Sequence, residues 1–126
     1  NNLDIVALFI WILSIAGECA ADKQLSSFKA NKSNEGKVCR NGLWKFSRHP
    51  NYFFEWIHWW SYVLLNFGSN NVWISLTGPL LMLFFLIKIS GIPFAEQQAL
   101  KSKGVEYENY IKTTNMFFPG PPKDTI

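Results

Sequence analysis

The sequence predicts an all-α integral membrane protein, one domain over residues 1–126, with about three membrane spans and amphipathic helices on one side of the bilayer. Three observations carry that expectation. The chain is 48% hydrophobic and 17% aromatic, with six Trp and eleven Phe in 126 residues. Its apolar residues form blocks: 3–17 with Asp4 as the one charge, 52–67 with Glu55, and 72–87 with none. Seven of the twelve basic residues lie between Lys23 and Arg48 and five from Lys88 onward, with none in the connector Gly68-Ser69-Asn70-Asn71.

The first block predicts a span near 3–17. No basic run precedes it and no A-x-A site follows, so it does not read as a signal peptide. The chain begins without Met, and the expectation is that further residues precede Asn1. The helix is expected to end near Gly17. Residues 18–29 then read as an amphipathic helix, with Ala20, Ala21, Leu25 and Phe28 on one side. Asn31 to Gly36 has the composition of a surface loop.

Pro50 predicts the start of the second span, near 51–67, because proline fixes its own φ and pushes His49 into extended backbone. At about 100° per residue, Asn51, Glu55, His58, Tyr62 and Asn66 share one stripe of this helix. Ionisable groups within a span face a protein interior, a partner or a water-filled cavity, so the stripe marks a candidate site. The alternative is plain pairing of Glu55 and His58 with each other or with a neighbouring helix. Trp56, Trp59 and Trp60 read as a packing or interfacial belt rather than a stacking box for a cofactor.

The third span is expected near 72–90, with Pro79 as a kink and Ser90-Gly91-Ile92-Pro93 as its end. A tail over 94–126 follows: a helix from Glu96 to Lys103, a break at Gly104, and a short helix with Tyr107, Tyr110 and Ile111 on one face. Glu96 suits a first helical turn for reasons of dipole alone. Phe117-Phe118 is expected to plug into the domain ahead of a proline-stiffened end.

Charge sets sidedness. The basic loop and the C-terminal tail both fall on the cytoplasm-like side by the positive-inside rule. Because these positive groups flank apolar blocks instead of forming a soluble basic face, nucleic acid is not an expected partner. Cys19 and Cys39 match no metal or CxxC spacing and read as ordinary thiols, and His49 and His58 lack helical metal-ligand spacing, so no metal site is expected.

The motifs Asp22-Lys23-Gln24 before Phe28-Lys29, Gly42 to Trp56 around Arg48-His49-Pro50-Asn51-Tyr52, Trp59-Trp60, Ser90-Gly91-Ile92-Pro93, Glu96-Gln97-Gln98-Ala99-Leu100 and Phe117-Phe118-Pro119 resemble the C-terminal half of the steroid 5-alpha-reductase-like superfamily. The similarity is closest to its uncharacterised, bacterial-type branch. It implies helices whose cytoplasmic half cradles NADPH, hydride transfer to a carbon–carbon double bond, and a lipid or sterol-like substrate. Relatives include isoprenylcysteine carboxyl methyltransferases, which use S-adenosylmethionine.

By position, the resemblance makes Asp22 and Lys29 the holders of the adenosine part and Asn51 and Glu55 the pair for the nicotinamide carboxamide. Arg48, with the free N–H groups after Pro50, would supply an anion pocket, and His49, Tyr52 and Tyr110 complete the candidate cofactor-binding set. Lys29 and Lys32 are the candidate 2′-phosphate partners. This chain has Phe54 where many reductases have Gly, and the acid and Tyr that polarise substrate in those reductases lie upstream of the matched region. Three functions follow as expectations: an NADPH-dependent membrane reductase; an S-adenosylmethionine-dependent methyltransferase of the isoprenylcysteine type; or a non-catalytic, reductase-derived accessory subunit of a larger membrane complex that binds no cofactor. Membrane lipids are expected partners throughout.

Overall fold

The helices form where apolar periodicity is sustained; Pro50 opens the second long helix and Gly104 separates the last two. The computed structural model describes residues 2–89 and 91–123, and among them every regular element is helical. Helix α1 covers Asn2–Ala30, α2 Pro50–Leu65, α3 Val72–Phe84, α4 Gly91–Lys103 and α5 Val105–Thr113, with a π turn over Phe85–Ile89 between α3 and α4. Short 3₁₀ turns at Lys32–Asn34 and Gly42–Lys45 punctuate the loop between α1 and α2. Ser90, placed by the sequence at the end of the third apolar block, lies outside the described residues.

Helix α2 is the centre, packing against α1 over most of its length and against α3 on another side. The α1–α2 approach is close because Gly17 lacks a side chain: a Cβ there would come within 2.5 Å of the Phe54 ring. Gly17 therefore does not end the first helix, as the sequence reading expected. It admits an aromatic ring, and the helix continues to Ala30.

Two segments, Asn2–Ala30 (29 residues) and Val72–Lys103 (32 residues), are long and apolar enough to cross a membrane. At 16 residues, α2 is about 24 Å long, less than the roughly 30 Å of a hydrocarbon core. Exposed Ile5, Leu8, Phe9 and Ile12 on α1, and Trp73, Ile74, Leu80 and Leu81 on α3, leave broad apolar faces uncovered. Pro79 is fully buried inside α3 and its carbonyl accepts from the Trp56 indole at 2.9 Å, so this tryptophan packs helix to helix.

The polar end is assembled from the loop after α1, the start of α2, α4, α5 and the C-terminal segment. Ala21, Cys39 and Trp44 form one small core, with Leu25, Phe28 and Leu43 packed around it. Val38, Tyr107 and Tyr110 form another, with Ala99, Leu100 and Ile111. Gly104, at φ +58°, provides the left-handed residue that turns α4 into α5.

Candidate functional site

The corner before α2 is held from three directions. The Ser47 hydroxyl donates to the Phe117 carbonyl at 2.9 Å, the Arg48 N–H to Asn115 O at 2.8 Å, and Gly120 N–H to Phe46 O at 3.0 Å, so the C-terminal segment is strapped across the loop. Tyr110 donates its hydroxyl proton to the Trp44 carbonyl at 2.5 Å, with Ser47 O sharing it at 3.1 Å. Phe117 is buried as expected and packs edge-on against Phe53 and Trp56, while its neighbour Phe118 stays half-exposed over the same two rings.

Arg48 is the hub. Its side chain is 8% exposed; Nε donates to Thr114 O at 3.1 Å and Nη1 donates to Glu96 on α4. The same carboxylate accepts from the Tyr107 hydroxyl at 3.0 Å and lies 3.1 Å from His49 Nε2. Burial alone raises the Glu96 carboxyl's pKa, but the His49 hydrogen bond, the Arg48 charge and the Tyr107 hydrogen bond together outweigh it and leave the pKa below the ordinary value. Glu96 sits on α4, past the apolar stretch that ends at Ile89. Burial, followed by the charge of Glu96, pushes the Tyr107 phenol well above its usual range, so it remains a neutral donor.

A cleft of about 790 Å³ opens beside this network, within the size range of small-molecule and cofactor sites. Arg48, His49, Asn51, Tyr52, Tyr107 and Tyr110 line it, as do Leu25, Phe28 and Cys39 from the first core. Lys29, Lys32, Lys37 and Lys103 line it too, so four flexible cations surround one cavity. Burial pushes the Cys39 thiol up from its ordinary value, which suits packing rather than nucleophilic use.

Of the eight residues singled out from sequence, six line this cleft: Lys29, Arg48, His49, Asn51, Tyr52 and Tyr110. Asp22 stands beside it, accepting from the Asn51 side-chain amide at 3.4 Å. Glu55 is not among the lining residues. It is met by Glu18 of α1 within hydrogen-bonding reach, so Asn51 and Glu55, although one turn apart, face different neighbours. Lower on the stripe, His58 Nε2 pairs with the Tyr62 hydroxyl at 2.8 Å, and its Nδ1 is sealed without a partner.

Sequence reasoning missed Glu96 as the anion of the site, and missed Lys37 and Lys103 in its wall. One signal could have found Glu96: a buried arginine beside apolar spans needs a carboxylate, and Glu96 is the first acid after the apolar block. A family model described as proteins of unknown function, DUF1295, matches residues 1–114. No curated protein and no solved structure matches. The chain therefore belongs to the DUF1295 family, which lies in the steroid 5-alpha-reductase-like group.

Proposed function

We propose that this member of the family is an NADPH-dependent membrane oxidoreductase that reduces a carbon–carbon double bond of a lipid or sterol-like substrate. The observation that carries the reading is the cleft itself: a cavity of about 790 Å³ whose wall joins the Arg48–Tyr52 motif to four lysines. A phosphate-bearing nucleotide fits that donor set, because Lys29, Lys32, Lys37 and Lys103 offer positive charge at its rim and Phe28 and Tyr52 offer flat apolar surface.

On this reading the lysines hold phosphate oxygens, with Lys29 and Lys32 taking the adenosine end of a dinucleotide, and the Asn51 amide orients a carboxamide. Bound there, a reduced nicotinamide supplies a hydride. Arg48 acts through the wall, not as a free anion receptor, since two of its nitrogens are already bonded to Thr114 and Glu96. The apolar stretches 3–17 and 72–89 enter the bilayer, the basic loop and tail face the cytoplasm-like side, and substrate arrives laterally from lipid.

Thermal shifts of the purified chain in detergent test the reading, because a ligand that binds only the folded state raises the melting temperature by mass action. NADPH is expected to stabilise the protein more than NADH does, and S-adenosylmethionine not at all. Stabilisation by S-adenosylmethionine alone would move the assignment to the methyltransferase class, and none by any of the three would favour an accessory role. Replacing Lys29 and Lys32 together by Ala is expected to weaken NADPH at least tenfold and to narrow its advantage over NADH.

A further inference from the structure

Reducing a carbon–carbon double bond adds a hydride to one carbon and a proton to the other, so the cleft needs a proton source as well as a hydride donor. Resting on the reading above, we propose that His49 gives up that proton and that Glu96 is its positioning residue. Several features place this imidazole apart from other polar groups of the chain. His49 is 5% exposed as a residue, yet it lines the cleft. It occupies the position just before α2, where a side chain commonly caps the helix, but it makes no capping bond.

The two ring nitrogens have distinct tasks. Glu96 is ionised at neutral pH and can only accept, so Nε2, 3.1 Å away, carries a hydrogen and is occupied with it. With Nε2 held by Glu96 and the residue itself lining the cleft, Nδ1 is the ring nitrogen left for a guest molecule. Tyr52 stacks on the ring from α2, with centroids 5.5 Å apart and planes 16° from parallel, and prevents it from swinging out. The charged and titratable groups facing His49 are Glu96 from α4, Tyr107 from α5 through that carboxylate, Arg48 from its own segment and Tyr52 from α2.

The step balances. As the hydride reaches one carbon, the N–H bond at Nδ1 of the imidazolium breaks and a C–H bond forms at the neighbouring carbon. The ring is left neutral, with Nε2–H still on Glu96, and water at the lysine-rimmed mouth restores the proton. A carboxylate behind an imidazole both fixes its orientation and favours its charged form.

The test uses the full chain in phosphatidylcholine nanodiscs, labelled with ¹⁵N at its two histidines. In the wild type, His49 ring resonances are expected to shift on addition of NADPH, while those of His58 do not respond to the nucleotide. Glu96→Gln is expected to move the His49 Nε2 resonance, because an amide replaces the carboxylate that holds its hydrogen. Glu96→Asp keeps the charge on Arg48 and guards against misfolding, and it should move that resonance by less. An Nε2 resonance unchanged in both variants, or a His49 that ignores NADPH while fluorescence shows the nucleotide bound, overturns the inference. Absence of NADPH binding would instead remove the functional reading, and the two Glu96 variants would still decide whether this pair exists.

Discussion

Two glutamates flank the same corner of the molecule in opposite surroundings. Glu96 is ringed by donors: Arg48, His49 and Tyr107 all point hydrogens at one carboxylate. Glu55 is met by acids, with Glu18 opposite and Asp22 a turn further along α1. The contrast teaches that charge at this corner is set by partners and not by residue type. Glu96 is a fixed anion that ties α4 and α5 to the start of α2. Burial and the facing Glu55 raise the Glu18 carboxyl to about 7, so Glu18 tends to hold a proton at this contact.

The largest effect is expected at the donor-ringed side. Glu96→Ala leaves the Arg48 guanidinium buried without its carboxylate, and removing one partner of a buried pair costs about 3–5 kcal/mol. Chemical denaturation in detergent should read this as a lower midpoint with unchanged slope. The pH dependence has a definite sign. Because the folded protein holds Glu96 below its ordinary pKa of 4.5, the contribution is complete above about pH 4.5 and is lost as pH falls through the lower, folded value. Wild-type stability should decline on acidification below that point, and the part due to this carboxylate should be missing from the variant.

Next in size is the seam where α1 meets α2. A methyl group at Gly17 would press into the Phe54 ring, so Gly17→Ala should cost about 1–3 kcal/mol through overpacking. Adding Phe54→Leu should recover part of that loss, which a purely helical-propensity effect would not permit. Should Gly17→Ala prove stabilising, as alanine is in an open helix, the close approach would be wrong.

These two residues also show what was legible in the chain. The apolar blocks, the proline corner, the Gly104 break and the buried Phe117 could be read locally, because each follows from a few adjacent residues. Gly17 could not: its neighbours switch from apolar to charged there, which reads as a helix end, and only the ring arriving from α2 explains a glycine in mid-helix. Glu96 was missed for the same reason, since its partner Arg48 is 48 residues earlier and only the need of a buried arginine for a carboxylate links them. Of the six candidate site residues that meet at the cleft, four do so because the Arg48–Tyr52 motif is contiguous, while Lys29 on α1 and Tyr110 on α5 arrive through packing. Lys37 and Lys103 join them only through the packing of α4 and α5 against the loop.

A smaller effect is expected from Tyr110→Phe, which removes the hydroxyl donated to the Trp44 and Ser47 carbonyls and leaves the ring beneath Arg40, 5.2 Å from its centroid. Unpairing buried carbonyls costs about 1–3 kcal/mol, the lower end applying here because cleft water can replace the donor. Denaturation midpoints should place this variant between wild type and Glu96→Ala.

Glu55→Gln is expected to do least to stability and most to the comparison. An amide opposite Glu18 offers a permanent donor in place of a second acid, so the contact between α1 and α2 no longer depends on a shared proton. Near neutral pH the change should stay within about 0.5 kcal/mol of wild type. As pH rises past about 7, wild-type Glu18 loses its proton and two negative charges meet, while the variant keeps an amide donor there, so the balance should move in favour of Gln. Melting curves at pH 6 and pH 9 would measure that crossing. A loss as large as that of Glu96→Ala, equal at both values, would mean that Glu55 is itself met by donors, and the two glutamates would then be alike.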